Sequence, residues 1–202
     1  IRRRLAPLLE NDMDRIKVAN SILLTFIGSP VIYYGDEIGM GDDIWLEDRD
    51  GVRTPMQWSD AANAGFSSAP EDELYEKVID DETYGYQQLN VQAQLDDPDS
   101  LLNWMKKVIR VRKEHPAFGR GDLDLLAPDN PAILAYVRTY LQDDLIVVNN
   151  LSDAPQACEI ALPDNAKGQL VDLFTGETIE LDADHTCTLH LDRYGYRWFK
   201  LT

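Results

Sequence analysis

Four residues, Val31-Ile32-Tyr33-Tyr34, set between Gly28-Ser29-Pro30 and Gly35, constrain the fold more than any other stretch of the chain. β-Branched and aromatic side chains without polar alternation match a strand buried on both faces, as in a parallel sheet covered by helices. The glycines and the proline mark its entry and exit. Upstream, Ile16, Ala19, Leu23, Phe26 and Ile27 recur at helical spacing behind Asn11 or Asp12 as the cap, with Asp14 in the first turn. Downstream, Asp97-Pro98-Asp99-Ser100 opens a second helix with an Asp cap and a Pro at the first helical position. Leu101, Leu102, Met105, Val108 and Ile109 form its apolar stripe, and His115-Pro116 ends it. Helix, strand, long loop, helix is an α/β order, and in barrels of that class the loops after the strands build the site.

A different pattern begins near Phe118. Ala132 to Arg138, Leu145 to Asn149, Cys158 to Leu162, Leu170 to Phe174, Thr178 to Leu181, Cys187 to Leu191 and Tyr196 to Leu201 read as short strands. Asp143-Asp144, Ser152-Asp153-Ala154-Pro155 and Thr175-Gly176 supply turns between them. The expected fold class is therefore α/β plus all-β: residues 1–117 as the last helix-strand-helix portion of a (β/α)8 barrel, and 118–202 as an antiparallel sandwich.

The chain has 36 acidic and 19 basic residues, a net charge of −17. Such a surface repels phosphate backbones and anionic lipid, which argues against nucleic-acid and membrane partners. Asn20, Ser21, Thr25, Gly28, Ser29 and Pro30 interrupt the apolar stretch 18–34, so a helix, turn and strand explain it better than a membrane span. Cys158 and Cys187 lie among apolar neighbours on expected strands; they could form a disulfide, but two buried thiols in a reducing cytosol is the favoured reading. His115, His185 and His190 are scattered and fit surface or packing roles. The chain opens Ile1-Arg2-Arg3-Arg4, with no initiator Met and no apolar h-region, which reads as a piece of something longer and cytoplasmic.

The chemistry-bearing residues cluster after the expected strand. Asp36 and Glu37 are adjacent, so on a continuing strand they face opposite sides and cannot share one pocket. Arg49 and Arg53 frame Asp50, and a guanidinium fixed by a carboxylate is a planar donor suited to sugar hydroxyls or to a second carboxylate. Trp58 offers an apolar face to a sugar ring. The plainer reading of the same residues is a surface ion pair beside a packed Trp. Asp42, Asp43, Glu47, Asp48 and Asp50 lack the spacing of a calcium loop, so no metal is expected. The segment from Gly35 to Asp97 far exceeds a usual connection of about 2–6 residues, as binding loops and lids do. Its amides, from Gln87 to Gln94, suit either hydroxyl ligands or the loop's own backbone. Lys106, Lys107, Arg110, Arg112 and Lys113 complement a helix C-terminus.

Gly28 to Met40, Asp48 to Trp58, Asn63-Ala64-Gly65-Phe66-Ser67 and the stretch from Leu101 to Gly119 resemble the α-amylase superfamily of glycoside hydrolases. Within it, Asp48-Arg49-Asp50-Gly51-Val52 and the opening Ile1 to Leu9 are more similar to members that interconvert maltose and trehalose than to the oligo-1,6-glucosidases. The resemblance implies that Val31 to Tyr34 is the eighth strand of a TIM-type barrel. Arg53 would then be the pocket arginine that pairs with an aspartate elsewhere and fixes the terminal glucose ring, with Asp50 and Arg49 beside it. Tyr34, Asp36, Glu37, Gln57 and Trp58 would support that pocket. The family's nucleophilic aspartate, acid/base glutamate and second aspartate belong to strands four, five and seven, ahead of Ile1. No catalytic carboxylate is therefore expected here, no cofactor is implied, and the chain by itself should be inactive without the N-terminal part of the barrel. The implied ligands are maltose, trehalose and glucose. A fragment of an α-glucosidase or oligo-1,6-glucosidase, and a non-catalytic sandwich module that binds sugar or packs on a partner, remain the alternatives. A homo-oligomer is left open.

Overall fold

The computed structural model describes residues 3–163 and 168–202, so Ile1 and Arg2 of the opening motif lie outside the described residues. The chain divides into two compact units, one built from Ile1–Ile16 and Val31–Lys107, the other from Lys17–Pro30 and Val108–Thr202.

The helices are α1 (Leu5–Leu8), α2 (Met13–Thr25), α3 (Val91–Asp96), α4 (Leu101–Glu114) and α5 (Ala117–Arg120). Asp12 caps α2 as expected, its Oδ1 accepting from the backbone N–H of Asp14 at 3.0 Å and of Arg15 at 3.3 Å. For α4 the cap is Ser100 rather than Asp97: Ser100 Oγ accepts from Asn103 N at 3.2 Å. Asp97 instead closes the turn before the helix, accepting from Asp99 N at 2.9 Å. A Ser directly ahead of the apolar stripe outcompetes an Asp three residues earlier because its hydroxyl reaches the third helical N–H.

The second unit is an antiparallel sandwich. Its strands are β1 (Asp122–Leu125), β2 (Ile133–Tyr140), β3 (Asp143–Asn150), β4 (Gln156–Ala161), β5 (Gln169–Asp172), β6 (Thr178–Glu180), β7 (Thr186–Leu191) and β8 (Tyr196–Leu201). One sheet runs β1-β2-β3-β8-β5-β6, and β4 pairs with β7 in a second. Alternate residues from both sheets build one core: Ile133, Ala135 and Val137 of β2, Ile146 and Val148 of β3, Cys158 and Ile160 of β4, Leu189 of β7 and Phe199 of β8.

The other face of the large sheet is also covered, which is why β3 reads as a continuous apolar run. Here the second half of α2 contributes polar side chains. Ser21 Oγ donates to Asn149 Oδ1 at 2.7 Å and accepts from Trp198 Nε1 at 2.8 Å, and Thr25 Oγ1 meets the Tyr136 hydroxyl at 2.5 Å. Arg138, 1% exposed, donates to the carbonyls of Thr25, Phe26, Gly121 and Asp122. Arg112 donates to the carbonyl of Leu24, so this member of the expected basic face closes the end of α2 instead of lying free on α4. Leu23, Phe26 and Ile27, expected in the apolar stripe, are 38%, 36% and 62% exposed. The buried face of α2 runs through Ser21, Leu24 and Thr25.

Among the described residues of the first unit, Ala6, Ile16 and Leu101 form one small apolar cluster, and Ile38, Met40 and Met56 another. The expected strand is not formed: Val31 to Tyr33 carry no regular structure, Tyr34 opens a turn, and Val31 is 80% exposed. A strand exists only through a neighbour's backbone, and no strand is present among the described residues of this unit. The carbonyl of Tyr34 is taken instead by the guanidinium of Arg4.

Candidate functional site

The turn after Tyr34 places the first chemical groups. Gly35 (φ 89°) and Gly39 (φ 76°) flank a single 3-10 turn over Asp36–Ile38. A Cβ on Gly35 would lie 2.5 Å from Met40 Sδ and 3.0 Å from Arg4 Nη1, so both backbone sign and space require glycine. The turn separates its two carboxylates. Glu37 lines a cavity of about 490 Å³ together with Tyr34, Arg53, Trp58, Phe66 and Tyr75. Asp36 lines a second, of about 450 Å³, together with Arg4, Tyr33, Arg49 and Arg53. The two acids thus serve different pockets, through a turn and not through strand alternation.

Arg53 is the residue common to both cavities. Its Nη1 donates to Asp50 Oδ1 at 3.3 Å, and half of its side chain remains exposed. Arg49 does not share Asp50. Its Nε lies 3.8 Å from Asp48 Oδ2, with both side chains largely in solvent. The loop carrying them closes on itself where Asp43 N donates to the Gly51 carbonyl at 2.9 Å, and a Cβ on Gly51 would sit 2.0 Å from the Asp43 carbonyl oxygen.

Gln57 is wholly buried and points away from the cavities, its Nε2 donating to the carbonyls of Tyr84 at 2.9 Å and Leu89 at 2.5 Å. Trp58, half exposed, forms cavity wall. Tyr34 donates its hydroxyl to the Thr54 carbonyl at 2.9 Å, which ties the turn to the segment after Arg53. Burial raises the Tyr34 phenol above its ordinary value against the opposing charge of Arg4. Burial likewise raises the Asp36 carboxyl, with Arg4 again the main opposing influence.

The acidic cluster is used locally: Asp42 takes Arg3 Nε at 3.0 Å and Arg4 N at 2.8 Å, and Asp43 takes Trp45 N at 3.0 Å. Among the described residues no group of three or more His, Cys, Asp or Glu side chains is arranged to hold a metal. The loop amides also serve backbone: Asn90 caps α3, and Gln94 donates to the Ile38 carbonyl at 2.8 Å. His115 pairs with Asp143 at 3.0 Å, well away in sequence from the cavity residues. Cys158 and Cys187 are both free and buried.

Three contributors escaped the sequence reading. Phe66 and Tyr75 complete the aromatic lining, and the only signal for Tyr75 is a single ring within Glu71-Asp72-Glu73-Leu74-Tyr75-Glu76-Lys77. Arg4 is 2% exposed, but in sequence it is one of three arginines at the start of the chain.

The family profile for the alpha amylase catalytic domain matches residues 2–121, and that for the maltogenic amylase C-terminal domain matches residues 123–198. The chain is 47% identical over its whole length to a trehalose synthase of Pimelobacter sp. strain R48, covering 36% of that relative. It is 33% identical to an oligo-1,6-glucosidase of Parageobacillus thermoglucosidasius, over 70% of this chain and 30% of that one. Among solved structures, the trehalulose synthase MutB of Pseudomonas mesoacidophila MX-45 superposes on 99% of the chain and 41% of its own length, with a TM-score of 0.74 at 24% identity. The chain thus spans about a third of the length of the curated relatives it matches.

Proposed function

The chain belongs to the α-amylase family, and on that premise we propose that it is the pocket-wall and C-terminal portion of a cytoplasmic enzyme that interconverts maltose and trehalose by intramolecular glucosyl transfer with retention. The observation that carries the reading is the 47% identity over the entire chain to a trehalose synthase, against 33% over 70% of it to an oligo-1,6-glucosidase. We place the end of the barrel portion at residue 117 and the start of the sandwich domain at 118.

The arrangement around Arg53 supports this reading chemically. A half-exposed guanidinium oriented by Asp50 has donors left over for a sugar hydroxyl or a carboxylate from the remainder of the enzyme. Trp58, Phe66 and Tyr75 offer apolar faces around the same cavity. Retaining transfer uses two carboxylates about 5–5.5 Å apart, one as nucleophile and one as acid/base. These belong to the other two thirds of the enzyme. The task of the present residues is to hold the terminal glucose and to keep water from the covalent intermediate while the released glucose turns and attacks through its anomeric hydroxyl. Arg49, on Asp48, contributes at the rim, and Glu37 and Asp36 set the charge of the two cavities.

Incubation of the complete enzyme with maltose tests the reading. Trehalose as the main product is expected, and glucose alone would assign the hydrolase instead.

A further inference from the structure

We propose that Arg4 is a positioning residue for the substrate pocket, acting through the backbone that carries Arg53; this rests on the reading of Arg53 as the pocket arginine. Arg4 is almost fully buried, yet it has no carboxylate partner within ion-pair distance among the described residues. Its guanidinium is spent on two main-chain carbonyls: Nη1 donates to that of Tyr34, and Nη2 to that of Val52 at 2.8 Å. Tyr34 immediately precedes the glycine turn that presents Asp36 and Glu37, and Val52 immediately precedes Arg53. One planar group therefore fixes the spacing between the two backbone segments that supply the polar lining of both cavities.

Packing locks the clamp. The Arg4 guanidinium carbon lies 4.7 Å from the Tyr34 ring centroid and 5.2 Å from that of Tyr33. Its own backbone N–H is held by Asp42 at 2.8 Å. Removing the guanidinium leaves both carbonyls without these donors and frees the Val52–Arg53 peptide to shift, and a shift of about 1 Å in a substrate-holding group can cost roughly 100-fold in rate. Lysine cannot reproduce the clamp, because an ammonium lacks the planar fork that reaches two carbonyls at once.

The test is a double-mutant cycle in the complete enzyme, run on whichever α-glucosyl reaction the wild type catalyses, so that its outcome does not depend on trehalose being the product. The variants are Arg4→Met, Arg4→Lys, Arg53→Ala and each Arg4 change combined with Arg53→Ala. We expect each Arg4 variant to keep a wild-type thermal unfolding midpoint within a few degrees while kcat/KM falls about 10- to 100-fold. Each combined variant should be no slower than Arg53→Ala alone, because Arg4 acts through Arg53. Losses that multiply independently would overturn the proposal, as would an Arg4→Lys enzyme within twofold of wild type. Failure of both Arg4 variants to fold would overturn it too, since Arg4 would then be a folding residue. Absence of any trehalose from the wild type would remove the functional reading and leave the cycle interpretable.

Discussion

In the sandwich unit the backbone of β3 is paired with β2 on one side and β8 on the other, whereas in the first unit the carbonyls of Tyr34, Val52, Tyr84 and Leu89 are each taken by a side chain, from Arg4 or Gln57. A ladder shares its hydrogen bonds among many residues, so most outward positions of the sandwich can change without moving it. A loop pinned by single side chains depends on each of them. That difference explains why the pocket residues lie in the first unit: a loop fixed at a few points can present groups in directions that a pleated strand, with its period of two, does not allow.

The comparison is sharpened first by its exception, Arg138, a buried sandwich side chain that takes main-chain carbonyls outside the ladder. Arg138→Met orphans four carbonyls in a buried setting, and we expect a loss of about 3–5 kcal/mol in urea unfolding followed by tryptophan fluorescence. A loss under about 1 kcal/mol would mean that the ladder alone holds this unit. Gln57→Ala should cost less, about 1–3 kcal/mol, and should act locally. Limited proteolysis is expected to cut between residues 59 and 90 sooner while the sandwich unfolds as before. Cleavage at the wild-type rate would show that Gln57 is not the pin.

A smaller effect separates the units by pH. Burial, assisted by Cys158, pushes the Cys187 thiol from its ordinary 9.0 to about 11. The unfolded chain then ionises first, so this contribution is complete below pH 9 and is lost as pH rises from about 9 to about 11. Replacing Cys187 with Ala should flatten stability in that window, and an unchanged alkaline slope would refute the assignment. The smallest effect on folding belongs to Arg53→Ala, whose exposed pair with Asp50 is worth roughly 0–1 kcal/mol. A larger loss of stability would make Arg53 a structural residue.

The sandwich was legible because period-two patterning and turn residues survive in sequence: seven of its strands are anticipated within a few residues. The missing one, Asp122–Leu125, is an acidic edge strand whose Asp-Leu-Asp-Leu wording has low strand propensity. The apolar run Val31 to Tyr34 misled for the opposite reason. Its composition describes a buried environment, but hydrogen bonds to a neighbour, which composition cannot report, decide whether a strand forms. The stripe on α2 likewise misplaced the buried face, because Ser21 and Thr25 are recruited by specific partners on the sheet. Glu37, Arg53 and Trp58 line one cavity, with Asp50 bonded to Arg53, and all four come from one motif-dense segment. Arg4 was not legible, since a buried arginine aimed at main-chain carbonyls has no sequence signature.

Turnover of maltose by the complete enzyme carrying Arg53→Ala tests most directly the claim that this loop wall holds the sugar. A fall in kcat/KM of about 100-fold or more, with the unfolding midpoint unchanged, is the expected result. Kinetics within a fewfold of wild type would contradict it.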